Sequence, residues 1–367
     1  MGAALTWVPS EPYTVGIEEE IMLLDPDGWT PAARADDVLP RLPGELTDHL
    51  GRETHRSAVE LATQPHATVG AAVAQLAALR EGLEAAMGEH GLRLAGAGVH
   101  PFAVGGHTEV SDHGRYQLIA DTMRGLARRE PTFALHVHIG VADPQAAIRL
   151  LNALRAHLPL LLALSANSPF WQGRDTGLAS ARTTLFGAFP RTGLPRAFSS
   201  YEDWVGTVEM LLRCGAFPEA TFLWWDVRPQ PRFGTVEVRV MDAQVDVERT
   251  AALCALVQAV ARLELEEGFA APALVGAGEL LAENRFLAAR DGEDAELLDP
   301  DRGCAVPVRD VLARTLGAAA PHAEALGCAA ELEVLHAPSG CARQRAVAER
   351  GDGLEAVVED LAGAFVP

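Results

Sequence analysis

The chain has 367 residues, 49 % of them hydrophobic and 22 % charged, enough to bury a large core in one or two domains. A net charge of −20 argues against nucleic acid as the main partner. All 30 basic residues are arginine, which excludes a P-loop lysine, a Schiff base and the phosphate-binding lysine of protein kinases.

Alternation and punctuation give the elements in chain order. Tyr13–Leu24 and Thr54–Thr63 are expected strands, the second ended by Gln64-Pro65. A helix over Thr68–His90 stops at Gly91. Leu92–Ala97 is a short strand, Arg115–Arg129 a helix and Thr132–Val141 a strand. Asp143-Pro144 supplies an N-cap and a first-turn proline for a helix running to Ala166. Asn167–Leu194 is polar and rich in Gly and Pro, and is expected to be a long functional loop. A helix over Tyr201–Arg213 leads to strands Thr221–Arg228 and Thr235–Met241, joined as a hairpin by Pro229–Gly234. From Val247 the pattern is helical: Val247–Gly268, Leu280–Arg290, Val308–Leu316, Ala323–Leu335 and Gly340–Arg350, with Asp291–Asp301 as an exposed loop. These elements predict an α+β fold, one domain over residues 1–367 with a mostly helical layer from about 247.

The apolar run Leu158–Ala166 is too short to span a bilayer and contains Pro159. The start of the chain shows no basic segment ahead of an apolar one. Cys214, Cys254, Cys304, Cys328 and Cys341 form no Cys-x-x-Cys and are expected to be reduced, mostly buried thiols of a cytoplasmic protein with no membrane partner. The many apolar C-terminal helices leave room for a homodimer.

Four segments carry the chemistry. In Thr235–Asp242 alternation places Val236, Val238 and Val240 on one strand face and Thr235, Glu237, Arg239 and Met241 on the other. A carboxylate and a guanidinium on one face suit a cavity holding a cation at Glu237 and an anion, such as phosphate, at Arg239. Glu18 and Glu20 share a face of the first strand, with Glu19 on the apolar face beside Val15, Ile17, Ile21 and Leu23. The pair is either solvated or bridged by a cation. Glu53 and Glu60 bracket the second strand, and Glu60 faces either water or a metal. His136 and His138 share a strand face, as metal ligands or as buried hydrogen-bonded imidazoles. The pair also fits a metal-dependent hydrolase, although the lysine often found bridging such metals is missing here. Arg174, Arg182 and Arg228 suit a carboxylate or phosphate, or ordinary ion pairs. The oxygen-rich donor set points to Mg²⁺ or Mn²⁺ rather than zinc.

Together, Gly16–Glu20, Val59–Thr63, His136–Gly140, Ala163–Phe170, Trp225–Pro229, Gly234–Asp242, Glu283–Arg285 and Arg343–Val347 resemble the carboxylate–amine ligase family, also called the type-two glutamate–cysteine ligase family. The resemblance covers nearly the whole chain in order. It implies a glutamine-synthetase-like catalytic fold, in which a curved antiparallel sheet forms a metal- and ATP-binding funnel with helices outside. It implies metal ligation by Glu18, Glu20, Glu53, Glu60, His136 and Glu237, with His138 on the same face and able to orient substrate. Arg239 is placed against the transferred phosphate, Arg182 and Arg228 join it as candidate nucleotide-binding cations, and Glu237 and Arg239 are the candidate catalytic pair. The implied reaction joins a small carboxylic acid and an amine, nominally glutamate and cysteine, with ATP and Mg²⁺ through an acyl phosphate. The alternatives are the hydrolase using His136 and His138 and a nucleotide-binding protein without turnover.

Overall fold

The computed structural model describes residues 5–105, 108–351 and 353–366. Its centre is an eight-stranded sheet with the order β7-β8-β6-β1-β4-β3, while β2 and β5 pair with the far end of β1. The strands are β1 (Val15–Asp25), β2 (Thr30–Pro31), β3 (Leu50–Arg52), β4 (Ala58–Ala62), β5 (Arg93–Ala95), β6 (Ala134–Gly140), β7 (Val227–Gln230) and β8 (Thr235–Asp242). Every pairing is antiparallel, and the path has two free ends, so the sheet is open. The α+β class expected from sequence is the one observed.

Alternation on β1 divides the two faces. Val15, Ile17, Ile21 and Leu23 enter the main core and Glu18 and Glu20 leave on the other side. Helices α1 (Val69–Gly88), α3 (Pro144–Ser165) and α6 (Val247–Glu266) contribute to the same core. Their starts are capped by Thr68, Asp143 and Asp246, whose side chains accept from the backbone N–H groups of Ala71, Ala146 and Arg249. Helix α3 is by itself long and apolar enough to cross a membrane, but 78 % of its apolar window is buried inside the protein, which makes it a core helix. Between α1 and α3 lies α2 (Gly114–Met123).

On the opposite face the sheet is only half covered. Met22, Leu24, Ala58 and Ala95 pack under the C-terminal helix through Val357, Val358 and Leu361. The rest of that face, toward the start of β1, carries the acidic residues.

Glu19 sits on the core side, 1 % exposed, against an equally buried Arg80 from α1. The guanidinium donates to both carboxylate oxygens at 2.8 Å, and the Thr250 hydroxyl gives Glu19 a further bond of 2.7 Å. Arg80 spends its other donors on the carbonyls of Val245, Phe365 and Gln244. A charge on the apolar face is tolerated because it is fully partnered.

Several elements differ from expectation. The strand expected over Thr54–Thr63 begins only at Ala58, because residues 54–56 direct their backbone bonds to Glu109 and Ser111 instead. Glu53 therefore lies in the turn between β3 and β4. The 167–194 segment is not an irregular loop: it holds a short pairing of Phe170–Trp171 with Arg174–Asp175 and helix α4 (Ala181–Phe186), capped by Ser180. Helix α5 (Tyr201–Arg213) has the bounds expected. The β7–β8 hairpin forms, turning at Gly234 with φ +63°, where a Cβ would meet the Val8 carbonyl oxygen at 2.0 Å.

In the C-terminal layer, α7 (Gly278–Asp291) is followed by a hairpin of Glu296–Asp299 with Cys304–Pro307, not by an exposed loop alone. Helix α8 (Val308–Leu326) runs ten residues past its expected end and stops at Gly327, a left-handed residue. The helix expected over Ala323–Leu335 is reduced to a 3₁₀ turn, Glu331–His336. Helix α9 (Gly340–Ala348) is followed by α10 (Gly353–Gly363), in keeping with the helical pattern expected from Val247 onward. Of the cysteines, Cys254, Cys328 and Cys341 are buried and Cys214 and Cys304 exposed, all as free thiols.

Candidate active site

The strand register assembles the site. Glu18 stands opposite His136 and Glu20 opposite Glu60, while Glu237 stands opposite His138. Directly opposed side chains on one sheet face are close neighbours, so residues far apart in the chain form one cluster. His136 Nδ1 lies 3.3 Å from Glu18 Oε2 and 4.0 Å from Glu237 Oε1, and its Nε2 lies 3.8 Å from Glu20 Oε1. His138 Nε2 is 3.3 Å from Glu18 Oε1, and its Nδ1 bonds the Thr235 hydroxyl at 2.9 Å.

A β-bulge interrupts β8. Val238 pairs with Val137 but Met241 pairs with Leu135, so Arg239 and Val240 together oppose His136. The bulge reverses the alternation beyond it. Met241 turns into the main core rather than sharing the face of Glu237 and Arg239, as strict period two predicted. Asp242 points the other way and accepts from Ser168, Ser180 and the backbone N–H of Asn167.

The cluster opens into a cavity of about 370 Å³. Glu18, Glu20, Glu53, Glu60 and His136 line it, as do Arg182, Arg228 and Arg239. Glu237 is fully buried behind them. Its carboxylate accepts from Arg228 at 2.7 and 3.2 Å, from Gln230 at 2.7 Å and from Arg239. Arg228 also donates to the carbonyls of Thr221 and Leu223, so its guanidinium is held by the hairpin rather than free for a ligand. Arg182 bonds the carbonyls of Val240 and Arg239 across the bulge. Arg239 Nη1 lies 3.4 Å from His136 Nδ1, and its Nε is buried without a partner. Arg174 is exposed and does not line this cavity.

The electrostatics divide the carboxylates into two kinds. Burial pushes Glu237 up, but Arg228 and Arg239 override it and hold the group well below the usual carboxylate range. Glu18 is likewise lowered: burial works against ionisation, and the His138 and His136 rings outweigh it. Glu53 and Glu60 behave oppositely. Burial and then Glu20 push Glu53 up to about 8. Burial, with Glu18, Glu53 and Glu20 adding repulsion, raises Glu60 well above its ordinary value. Burial and the neighbouring Arg239 lower His136, which favours the neutral imidazole.

These features fit a hard divalent cation. Glu18, His136 and Glu237 can converge their ligand atoms, and so can Glu20, Glu60 and His136, each set within 4.8 Å. The buried Nε2 of His136 has no hydrogen-bond partner among the described residues, and the raised carboxylates are those a positive charge would return to the ionised form. Glu53 belongs to neither set but lines the same cavity. Glu237 is already engaged by two arginines, so ligation there requires Arg239 to turn away.

Some site residues lay outside the sequence expectations. Gln230 closes the Glu237 shell, and Tyr116, Arg115 and Trp224 complete the cavity wall. Burial and the nearby Glu53 and Glu60 raise the Tyr116 hydroxyl. No local motif marks Arg115 or Tyr116, because α2 meets the sheet only in the folded chain, whereas Trp224 opens the polar segment 224–229 that leads into β7.

Comparison with solved structures bears on the fold. The fold matches a glutamate–cysteine ligase from Francisella tularensis, solved with AMP, with a TM-score of 0.70 and 14 % identity, covering 98 % of this chain and 89 % of that one. A bifunctional glutathione synthetase from Pasteurella multocida matches at TM-score 0.71 and 14 % identity, over 96 % of this chain and 52 % of that one. Sequence then gives the family. The profile of glutamate-cysteine ligase family 2 (GCS2) matches residues 14–360, and the chain belongs to that family. Among its relatives, "Putative glutamate--cysteine ligase 2-3" of Rubrobacter xylanophilus is 42 % identical over 97 % of this chain and 98 % of its own length. "Putative glutamate--cysteine ligase 2" of Thermobifida fusca is 37 % identical, covering 97 % and 92 %.

Proposed function

We propose that this protein is an ATP-dependent carboxylate–amine ligase, with glutamate as its nominal acid and cysteine a weak acceptor, yielding γ-glutamylcysteine, ADP and phosphate. The observation that carries this is the meeting of carboxylates and guanidinium groups in one cavity on one sheet face. The carboxylates suit the metals that accompany a triphosphate. The arginines suit the phosphates and the acid, in a chain with no lysine for either task.

Glu18, Glu20, Glu53, Glu60, His136 and Glu237 are the residues that would hold Mg²⁺ or Mn²⁺, which when bound neutralises triphosphate charge. A carboxylate oxygen of the acid attacks the γ-phosphorus of ATP. The bond to the ADP oxygen breaks, and an acyl phosphate forms. Arg239 turns from Glu237 to face the transferred group and stabilises charge on its oxygens, while Arg228 stays on the Glu237 carboxylate. The amine then adds to the acyl carbon, phosphate leaves the tetrahedral intermediate, and the nitrogen gives up a proton to water. Tyr116, Phe186 and Trp224 supply the aromatic part of the cavity wall.

The test is ADP release from ATP by the purified protein with Mg²⁺, glutamate and a panel of amines, with the amide identified by mass. ADP that requires both an acid and an amine supports the ligase. Cleavage of amides or esters without ATP would transfer the site to a hydrolase using His136 and His138. ATP binding with no turnover for any pair would leave a nucleotide-binding protein.

A further inference from the structure

A second cavity, also about 370 Å³, lies on the same sheet face one step toward the start of β1. It shares Glu18 and Phe233 with the first, so the two are lobes of one site that meet at the Glu18–His138 contact. Phe233, 53 % exposed at the tip of the β7–β8 hairpin, sets its ring edge-on to His138 with centroids 6.2 Å apart, and forms the partition.

The lobes differ in charge. Arg115, Arg182, Arg228 and Arg239 line the first. Among the described residues lining the second there is no arginine, and the chain has no lysine to substitute. Its polar groups are Ser10, Thr14, Thr63, Gln64 and Thr235, with Glu18 and His138 at the junction. The Nε2 of His138 is buried and lacks a hydrogen-bond partner there. Arg232, beside Phe233 in the turn, stacks against that ring and does not line the lobe.

Resting on the ligase function proposed above, we infer that the arginine-free lobe receives the amine, and that it selects amines carrying no carboxylate over α-amino acids. The triphosphate and the acid are anions and belong with the arginines. Only the amine can be free of negative charge. An α-carboxylate placed in the second lobe would find no arginine among the described residues lining it, only the His138 imidazole, and would face Glu18. Hydroxyl and amide groups with the Phe233 ring instead suit the body of a small uncharged or cationic amine.

The experiment compares cysteine with cysteamine, which is cysteine without its carboxylate, using the full chain with ATP, Mg²⁺ and glutamate or a panel of other acids. Hydroxylamine runs in parallel, because it traps an acyl phosphate as a hydroxamate and is too small to test the lobe. The inference expects hydroxamate, and a kcat/KM for cysteamine exceeding that for cysteine by about tenfold or more. It also expects Gln64→Arg, which puts a guanidinium at the rim, to shift that ratio toward cysteine by about tenfold. Hydroxamate with cysteine equal to or better than cysteamine overturns the inference and leaves the ligase standing. No hydroxamate with any acid overturns both.

Discussion

Arg228 and Glu237 face each other across the β7–β8 hairpin as a register pair, and the guanidinium closes on the carboxylate through two hydrogen bonds of 2.7 and 3.2 Å. With Arg239 on the same carboxylate, one buried negative charge holds two positive ones in place. This relationship makes Glu237 as much a keystone of the hairpin as a candidate ligand.

Glu237→Gln is therefore expected to cost stability as well as activity. Removing one member of a buried ion pair typically costs about 3–5 kcal/mol, and here two guanidinium groups lose their counter-charge. Urea denaturation of the variant should show a clearly lower midpoint with an unchanged m-value. An unchanged midpoint would show that water or a bound anion already compensates the arginines.

Arg239→Gln separates chemistry from folding. Glu237 keeps Arg228 and Gln230, so the midpoint should fall much less than for Glu237→Gln. ADP formation should fall by about a hundredfold or more if the guanidinium stabilises the transferring phosphoryl group. Steady-state ADP release with saturating substrates is the measurement, and wild-type turnover would remove Arg239 from the mechanism.

The raised carboxylates set a pH dependence. Glu53, at about 8, and Glu60 hold protons in the folded chain that the unfolded chain has already released. Above the ordinary carboxylate pKa the folded state thus binds more protons, and stability falls as pH rises until the folded values are passed. Thermal melts without metal should lose midpoint steadily from about pH 4.5 to 8, and Mg²⁺ should restore it most at the alkaline end. Glu60→Gln, whose target carries no ion pair with arginine among the described residues, should flatten the metal-free slope and weaken the Mg²⁺ response. A variant that kept both would show that the slope arises elsewhere.

Arg80→Met isolates the second buried pair. It leaves Glu19 on the core face with only the Thr250 hydroxyl among the described residues, and a loss of about 3–5 kcal/mol is expected. The double variant Glu19→Gln/Arg80→Met removes the stranded charge and should recover a substantial part of that loss. A double-mutant cycle by equilibrium denaturation reads the coupling directly.

Much of the site is local and therefore legible in the chain. Side-chain direction along a strand depends only on counting by two, so Glu18 with Glu20, His136 with His138, and Glu237 with Arg239 could be placed on shared faces from spacing alone. The helix start at Asp143 follows equally from cap chemistry within one turn. The rest depends on which segments meet. A single extra residue opposite His136 turns Met241 into the main core and Asp242, equally buried, to the opposite face, and no local pattern announces that bulge. Glu53 leaves its expected strand because the backbone near it pairs with residues 109–111. Glu19 is tolerable in the core only because Arg80 reaches it from another element. The division of the cleft into a lobe with arginines and a lobe without them is likewise a property of register and packing, since both draw their walls from the same four strands, β1, β4, β6 and β8, and from loops far apart in the chain.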